Sequence, residues 1–212
     1  MHDPEPNDAT PFLPDKHTLP ALREAAASCR GCHLWRGATQ TVFGEGMKKA
    51  RVMLVGEQPG DREDASGAPF VGPAGRELDK GLVAAGIARD EAYVTNVVKH
   101  FKFEERGRRR IHATPKKFEI DACRPWLDEE LRVVEPEAVV LLGATAAKAL
   151  LGSSFRVTQH RGELLDSELA PIVTATIHPS AILRGPDEAS RQEEREAFAE
   201  DLRAVAEALA AV

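Results

Sequence analysis

The 212 residues contain no run of about 18 consecutive apolar residues, the length a membrane-spanning helix needs. The opening stretch, MHDPEPNDATPFLPDKHT, has neither the basic nor the apolar region of an export signal. It is polar and proline-rich, so residues 1–18 are expected to form a frayed or disordered tail on a cytoplasmic protein with no membrane partner. Cysteine is scarce, and Cys29, Cys32 and Cys123 are the whole set. An odd number argues against a disulfide framework and leaves metal, redox or packing roles. No internal repeat occurs. There is no complete G-x-G-x-x-G and no Walker loop, which weakens a nucleotide-binding reading. An excess of positive charge is missing as well. The net charge is -6, which by itself argues against a nucleic-acid partner.

The distribution of that charge points the other way. Between Lys99 and Lys117 stand eight Lys/Arg against two Glu, so this segment carries +6 while the rest of the chain carries -12. One basic segment on an acidic body is an electrostatic footprint for a polyanion; the plain alternative is a solvated basic loop. Apolar residues make up 42% of the chain, enough for a sizeable core.

Residues 19–28 suit a short helix with Thr18 as its cap. RVMLVG (51–56) is a continuous apolar run ending in glycine, as in a strand buried on both faces. A helical pattern runs from Gly72 to Gly86, with Pro73 near its start. AYVTNVV (92–98) reads as a second strand, followed by the basic segment as a long loop. Thr114-Pro115 opens a helix expected to reach about Val134. AVVLLG (138–143) and PIVTATIH (171–178) read as two more strands, with a short helix after the first of them. The stretch from Glu188 to Val212 is amphipathic and acidic. Strands alternating with helices predict a single α/β domain over 19–212, with three layers, α/β/α, around a central, mainly parallel four-stranded sheet.

Ligands of such sheets sit at the carboxyl ends of the strands. Three segments place polar residues there: Gly56 to Asp61, Asn96 to His100, and His178 to Ser180. GEQPGD (56–61) forces a tight, exposed turn from which Glu57, Gln58 and Asp61 can project. GPAGR (72–76) could offer backbone amides to a phosphate. Taken singly, each reads as an ordinary turn or a structural histidine.

Together, GEQPGD, PFVGPAGR, YVTN, LLGATAAKALLG and HPS, in this order and spacing, resemble the uracil-DNA glycosylase superfamily over roughly residues 20–205. The two cysteines near the N-terminus and the third after the basic segment resemble its iron-sulfur-bearing family 4 branch. RRRIH (108–112) resembles the UdgX-type subgroup, which stays covalently attached to DNA. The resemblance implies a monomer that acts on uracil-containing DNA, single- or double-stranded, and releases free uracil. The base must leave the helix and enter a pocket. Phe70 would stack on it, and Asn96 would pair with its edge through an amide that offers both donor and acceptor. His178 would donate a hydrogen bond to a uracil oxygen as negative charge develops there. Glu57 would stabilise the sugar cation or orient a nucleophile, with Gln58 and Asp61 in support. His112 would capture C1′, with Glu57 accepting its other ring proton. Arg108, Arg109, Arg110 and Ser180 would lie against the DNA. The alternative is an ordinary turnover glycosylase, in which water takes the sugar and leaves an abasic site.

Cys29-x-x-Cys32 could be a redox pair, a zinc half-site or a cluster half-site. With His33 it also spells a haem c attachment motif, set aside because that maturation requires export. The family 4 resemblance implies a 4Fe-4S cluster, and the UdgX resemblance implies His100 in place of the third cysteine. The expected ligands are therefore Cys29, Cys32, His100 and Cys123. His33 could compete as the fourth ligand, and zinc would suit a Cys3His set as well.

Overall fold

In the computed structural model, which describes residues 8–211, a five-stranded sheet runs through the middle of the chain. Its strands are β1 (Val52–Gly56), β2 (Ala92–Asn96), β5 (Ala138–Leu142), β6 (Leu164–Leu165) and β7 (Ile172–Thr176), in the order β2-β1-β5-β7-β6. The first four are parallel, and the short β6 runs antiparallel on the edge against β7. A separate two-stranded hairpin pairs β3 (Phe103–Arg106) with β4 (Arg109–His112).

The four parallel strands are buried on both faces, which is why they read as unbroken apolar runs. Val52, Leu54, Val140 and Leu142 face Leu78 and Leu82 of α3 (Pro73–Ala85) and Phe198 and Leu202 of α7 (Glu188–Ala210). Met53, Val55, Val139 and Leu141 face the other way, toward Leu22 of α1 (Leu19–Ala26), Trp126 and Leu127 of α4 (Lys117–Val134), and Ala146 and Ala147 of α5 (Ala144–Leu151). Two short helices, α2 (Asp61–Ser66) and α6 (Val157–His160), complete the set. The result is the three-layer α/β/α arrangement that the alternating pattern predicts.

Several expectations need correcting in detail. The sheet has five strands rather than four, because two residues of β6 extend its edge. The basic segment is not a loop. It folds on itself, with Gly107 at φ +62 and Arg108 at negative φ, as a type II′ hairpin turn requires. The helix expected at Thr114-Pro115 begins at Lys117, where Glu119 reaches back to the Lys116 backbone N–H at 2.5 Å. Of the expected frayed tail, residues 1–7 lie outside the described residues. The remainder, from Asp8, is laid on the core: Ala9 is buried and its N–H bonds to Ala122 O at 2.8 Å. Among the described residues, no helix is long and apolar enough to cross a membrane.

Candidate active site

The chain leaves β1 toward β2 and leaves β5 toward β7, in opposite directions, so a crevice opens between the carboxyl ends of β1 and β5. Glu57, directly after β1, spans it. Its Oε2 accepts a hydrogen bond from the hydroxyl of Thr145, in the first turn of α5. Its Oε1 lies 3.3 Å from His112 Nε2 at the end of β4. That approach is within ion-pair range but not aligned as a hydrogen bond, so Glu57 Oε1 is buried without a hydrogen-bonding partner. The His112 side chain is half exposed.

His178 follows β7 on the same edge. Its Nδ1 accepts the Ser180 backbone N–H at 3.2 Å and lies 2.8 Å from Ser180 Oγ, to which Arg184 Nη1 donates at 3.1 Å. A backbone N–H can only donate, so Nδ1 carries the lone pair and the ring proton sits on Nε2. Burial, more than the nearby His112 ring and Arg184, pushes the pKa of His178 down to about 4. Near neutral pH it is therefore an uncharged donor through Nε2. Ser180, expected against DNA, fixes this tautomer.

The Phe70 ring stacks on His178, with centroids 6.0 Å apart and planes 26° from parallel. Its backbone holds φ +56, a conformation that L-residues seldom adopt outside sites that need it. Asn96, at the end of β2, is 3% exposed, and among the described residues its side-chain amide meets no hydrogen-bonding partner. Gly56 lies between the two: a Cβ there would come 2.4 Å from Asn96 Oδ1 and 2.8 Å from Phe70 Cζ. Phe70, Asn96, Glu57, His112 and His178 thus surround one crevice, where an aromatic face, an uncommitted amide and a neutral N–H donor are all available to a planar polar ring.

The supporting residues divide differently from the expectation. Gln58 donates to Lys102 O at 3.0 Å and Ala113 O at 3.2 Å, and accepts from Lys102 N at 3.0 Å. It clamps both feet of the hairpin and so acts on His112 through the backbone. Asp61 pairs with Arg110 Nε at 2.6 Å, and Arg110 Nη1 pairs with the fully buried Asp64 at 2.6 Å. The same guanidinium lies over the rings of Phe101 and Phe103. Arg110 is therefore committed to holding the hairpin down, whereas Arg108 and Arg109 at its tip are exposed.

The cysteines gather under the N-terminal segment. Cys32 and Cys123 are pushed up by burial, Cys123 to about 12; Cys29 adds to the rise in Cys32, and both Cys32 and Cys29 add to that in Cys123. Cys29 Sγ accepts from Trp126 Nε1 and Cys123 Sγ from Lys99 N, both at 3.2 Å. Such donors stabilise thiolates that bind a metal. His100 is buried, and its Nε2 meets Thr41 Oγ1 at 2.9 Å. The Thr41 hydroxyl spends its one proton on Ala26 O at 2.8 Å, so His100 Nε2 must donate, which leaves the lone pair on Nδ1. His33 points outward, stacks on Phe118 and faces Glu119 at 3.3 Å. Among the described residues, no group of three or more His, Cys, Asp or Glu is placed to hold a single metal ion. Three thiols and an imidazole are donors that suit an iron-sulfur cluster and a zinc ion alike.

Three contributors are not visible in the sequence. Thr145 sits in an ordinary-looking ATAAK helix start, Arg184 is one of several arginines, and Asp64 lies in a run of acidic residues. Only contact across the fold distinguishes them.

A family model described as the uracil DNA glycosylase superfamily matches residues 43–203. The chain is similar to the Type-4 uracil-DNA glycosylase of Sulfurisphaera tokodaii, with 37% identity over 80% of this chain and 78% of the relative. It is 35% identical to that of Pyrobaculum aerophilum, over 79% and 86% of the two chains. With the Type-4 uracil-DNA glycosylase of Thermotoga maritima the identity is 37%, over 77% and 82%.

Proposed function

The chain belongs to the uracil-DNA glycosylase superfamily, and we propose that it excises uracil from DNA and is then bonded to the sugar through His112. The names of the relatives support the excision. The attachment rests on one observation, the approach of His112 Nε2 to Glu57 Oε1 at the mouth of the crevice.

In this reading the extruded uracil lies against Phe70, and the Asn96 amide pairs with its edge. The bond from N1 to C1′ breaks and its electron pair leaves with uracil. His178 donates from Nε2 to a uracil oxygen, which stabilises charge present only as the bond breaks. The sugar is left as an oxocarbenium-like cation beside Glu57. One nitrogen of neutral His112 supplies the electron pair to C1′, and the proton on the other passes to Glu57. Uracil takes up a proton and leaves, while the protein, acting as a monomer, stays on the DNA. Arg108 and Arg109 carry the phosphate contacts.

Cys29, Cys32, His100 and Cys123 would hold a 4Fe-4S cluster, which would tie the N-terminal segment to the root of the hairpin. The purified protein should then be brown and contain iron. A colourless protein with stoichiometric zinc would overturn the assignment.

A second reading is ordinary turnover, in which water takes C1′; the names of the relatives favour it. One denaturing gel separates the two. Wild type with a uracil-containing oligonucleotide should give a slow band that survives denaturant, and His112→Ala should release uracil and leave an alkali-labile site without that band. An alkali-labile site from wild type, with no slow band, would establish turnover instead.

A further inference from the structure

Thr145 carries the furthest inference. It lies in the first turn of α5, one residue inside the helix whose N-cap is Gly143. The hydroxyl donates to Glu57 Oε2, across the crevice between β5 and β1. Glu57 Oε1 is left buried, without a hydrogen-bonding partner, 3.3 Å from His112 Nε2. The two carboxylate oxygens thus have unequal surroundings. One is tethered to the rigid start of a helix and the other faces the ring that is to react. A glutamate with a free carboxylate would rotate about its last bond, and either oxygen could turn toward His112, toward the sugar or toward solvent.

We propose that Thr145 is a positioning residue: by holding Glu57 Oε2 it presents Oε1 to His112 and so sets whether the sugar carbon is taken by histidine or by water. This rests on the covalent reading above for its second half, the partition, and on excision alone for its first half. The sequence offers no hint of it, because a threonine in a helix start is read as a cap.

The test compares Thr145→Val, which keeps the shape and loses the hydroxyl, with Thr145→Ser, which keeps the hydroxyl. Thr145 is half-buried, and Thr145→Ala provides a second hydroxyl-free variant should valine disturb α5. Single-turnover uracil release is followed on a uracil-containing oligonucleotide, and the product is divided into protein-bound DNA and free abasic sites. Loss of one hydrogen bond to a carboxylate should slow release by about 10-fold in the valine and alanine variants. The bound fraction should fall in favour of abasic sites, and oligonucleotide affinity should stay unchanged. Serine should restore both rate and fraction to within about two-fold of wild type. Valine and alanine variants that release and capture as wild type does would overturn the proposal, as would a serine variant as impaired as valine. If wild type itself captures no DNA, the covalent reading fails; the positioning of Glu57 is then decided by the release rates alone, where slow valine with normal serine supports it and equal rates end it.

Discussion

At the scale of single residues, His178 shows how a hydrogen bond fixes a charge state. Ser180 N–H occupies Nδ1, and burial opposes protonation, with the pKa pushed down to about 4. The unfolded chain holds an ordinary histidine that titrates near 6.5. Between those two values the unfolded state binds a proton that the folded state does not. The contribution of His178 to stability is therefore present above about pH 6.5 and is lost as pH falls toward 4. Urea unfolding of wild type and His178→Asn at intervals across this range should show the wild type losing stability more steeply on acidification. Parallel curves would mean that His178 is already charged in the folded protein. His178→Ala should also slow uracil release by about 10²–10³-fold, the usual cost of losing a donor to developing charge. The histidine was legible in HPS; its tautomer was not, because that depends on how the backbone turns after β7.

Among the elements, the hairpin has the most to explain. Its residues mix Phe, Glu and Arg on both faces, so no clean period-2 pattern marks the strands, and only the Arg-Gly-Arg turn hints at them. The three arginines are equivalent in sequence but not in the fold. Arg110 sits on Asp61, Asp64 and two phenylalanine rings, while Arg108 and Arg109 face solvent. Phosphate neutralisation releases counterions, and each contact contributes about one unit to the slope of log affinity against log salt. Replacing Arg108 and Arg109 together by alanine should flatten that slope by roughly two units. Arg110→Ala should leave it nearly unchanged and instead, on the proposed attachment through His112, reduce the bound fraction of DNA, because the strand that carries His112 loses its anchor. A slope change as large for Arg110→Ala as for either of the other two would contradict this division. The measurement is oligonucleotide affinity across a salt series.

For the whole molecule, the parallel sheet was legible because strands covered on both faces leave unbroken apolar runs. The buried polar cluster beneath Asn96 was not. Lys99 and Glu130 form a fully buried ion pair. Lys99 Nζ also donates to Thr95 Oγ1 at 2.6 Å and Asn96 O at 2.8 Å, and Glu130 accepts from Tyr93 OH, Thr95 Oγ1 and Gly44 N. These partners come from distant parts of the chain, so no local pattern marks them. Lys99→Met would strand a buried carboxylate, which typically costs about 3–5 kcal/mol. The lower end is expected, because Glu130 keeps three neutral donors, and the loss should appear as an earlier urea midpoint. An unchanged midpoint would show that the pair contributes nothing.

Among the described residues the hairpin strands pair only with each other, and the feet already touch, since Ala113 N donates to Lys102 O at 3.0 Å. It is therefore a graft with a ready-made splice point: the main sheet loses no strand if β3 and β4 are cut out and 102 is joined to 113 by a short turn. Such a shortened chain should remain folded, with Glu57, Asn96 and His178 in place, and should release uracil while holding no DNA. A shortened chain that fails to fold would mean that the Arg110 anchor also supports the body. In lineage terms, a cutter and a holder would then differ by one surface insert, whose loss would ask one change of the body beneath it, a neutral residue in place of the buried Asp64.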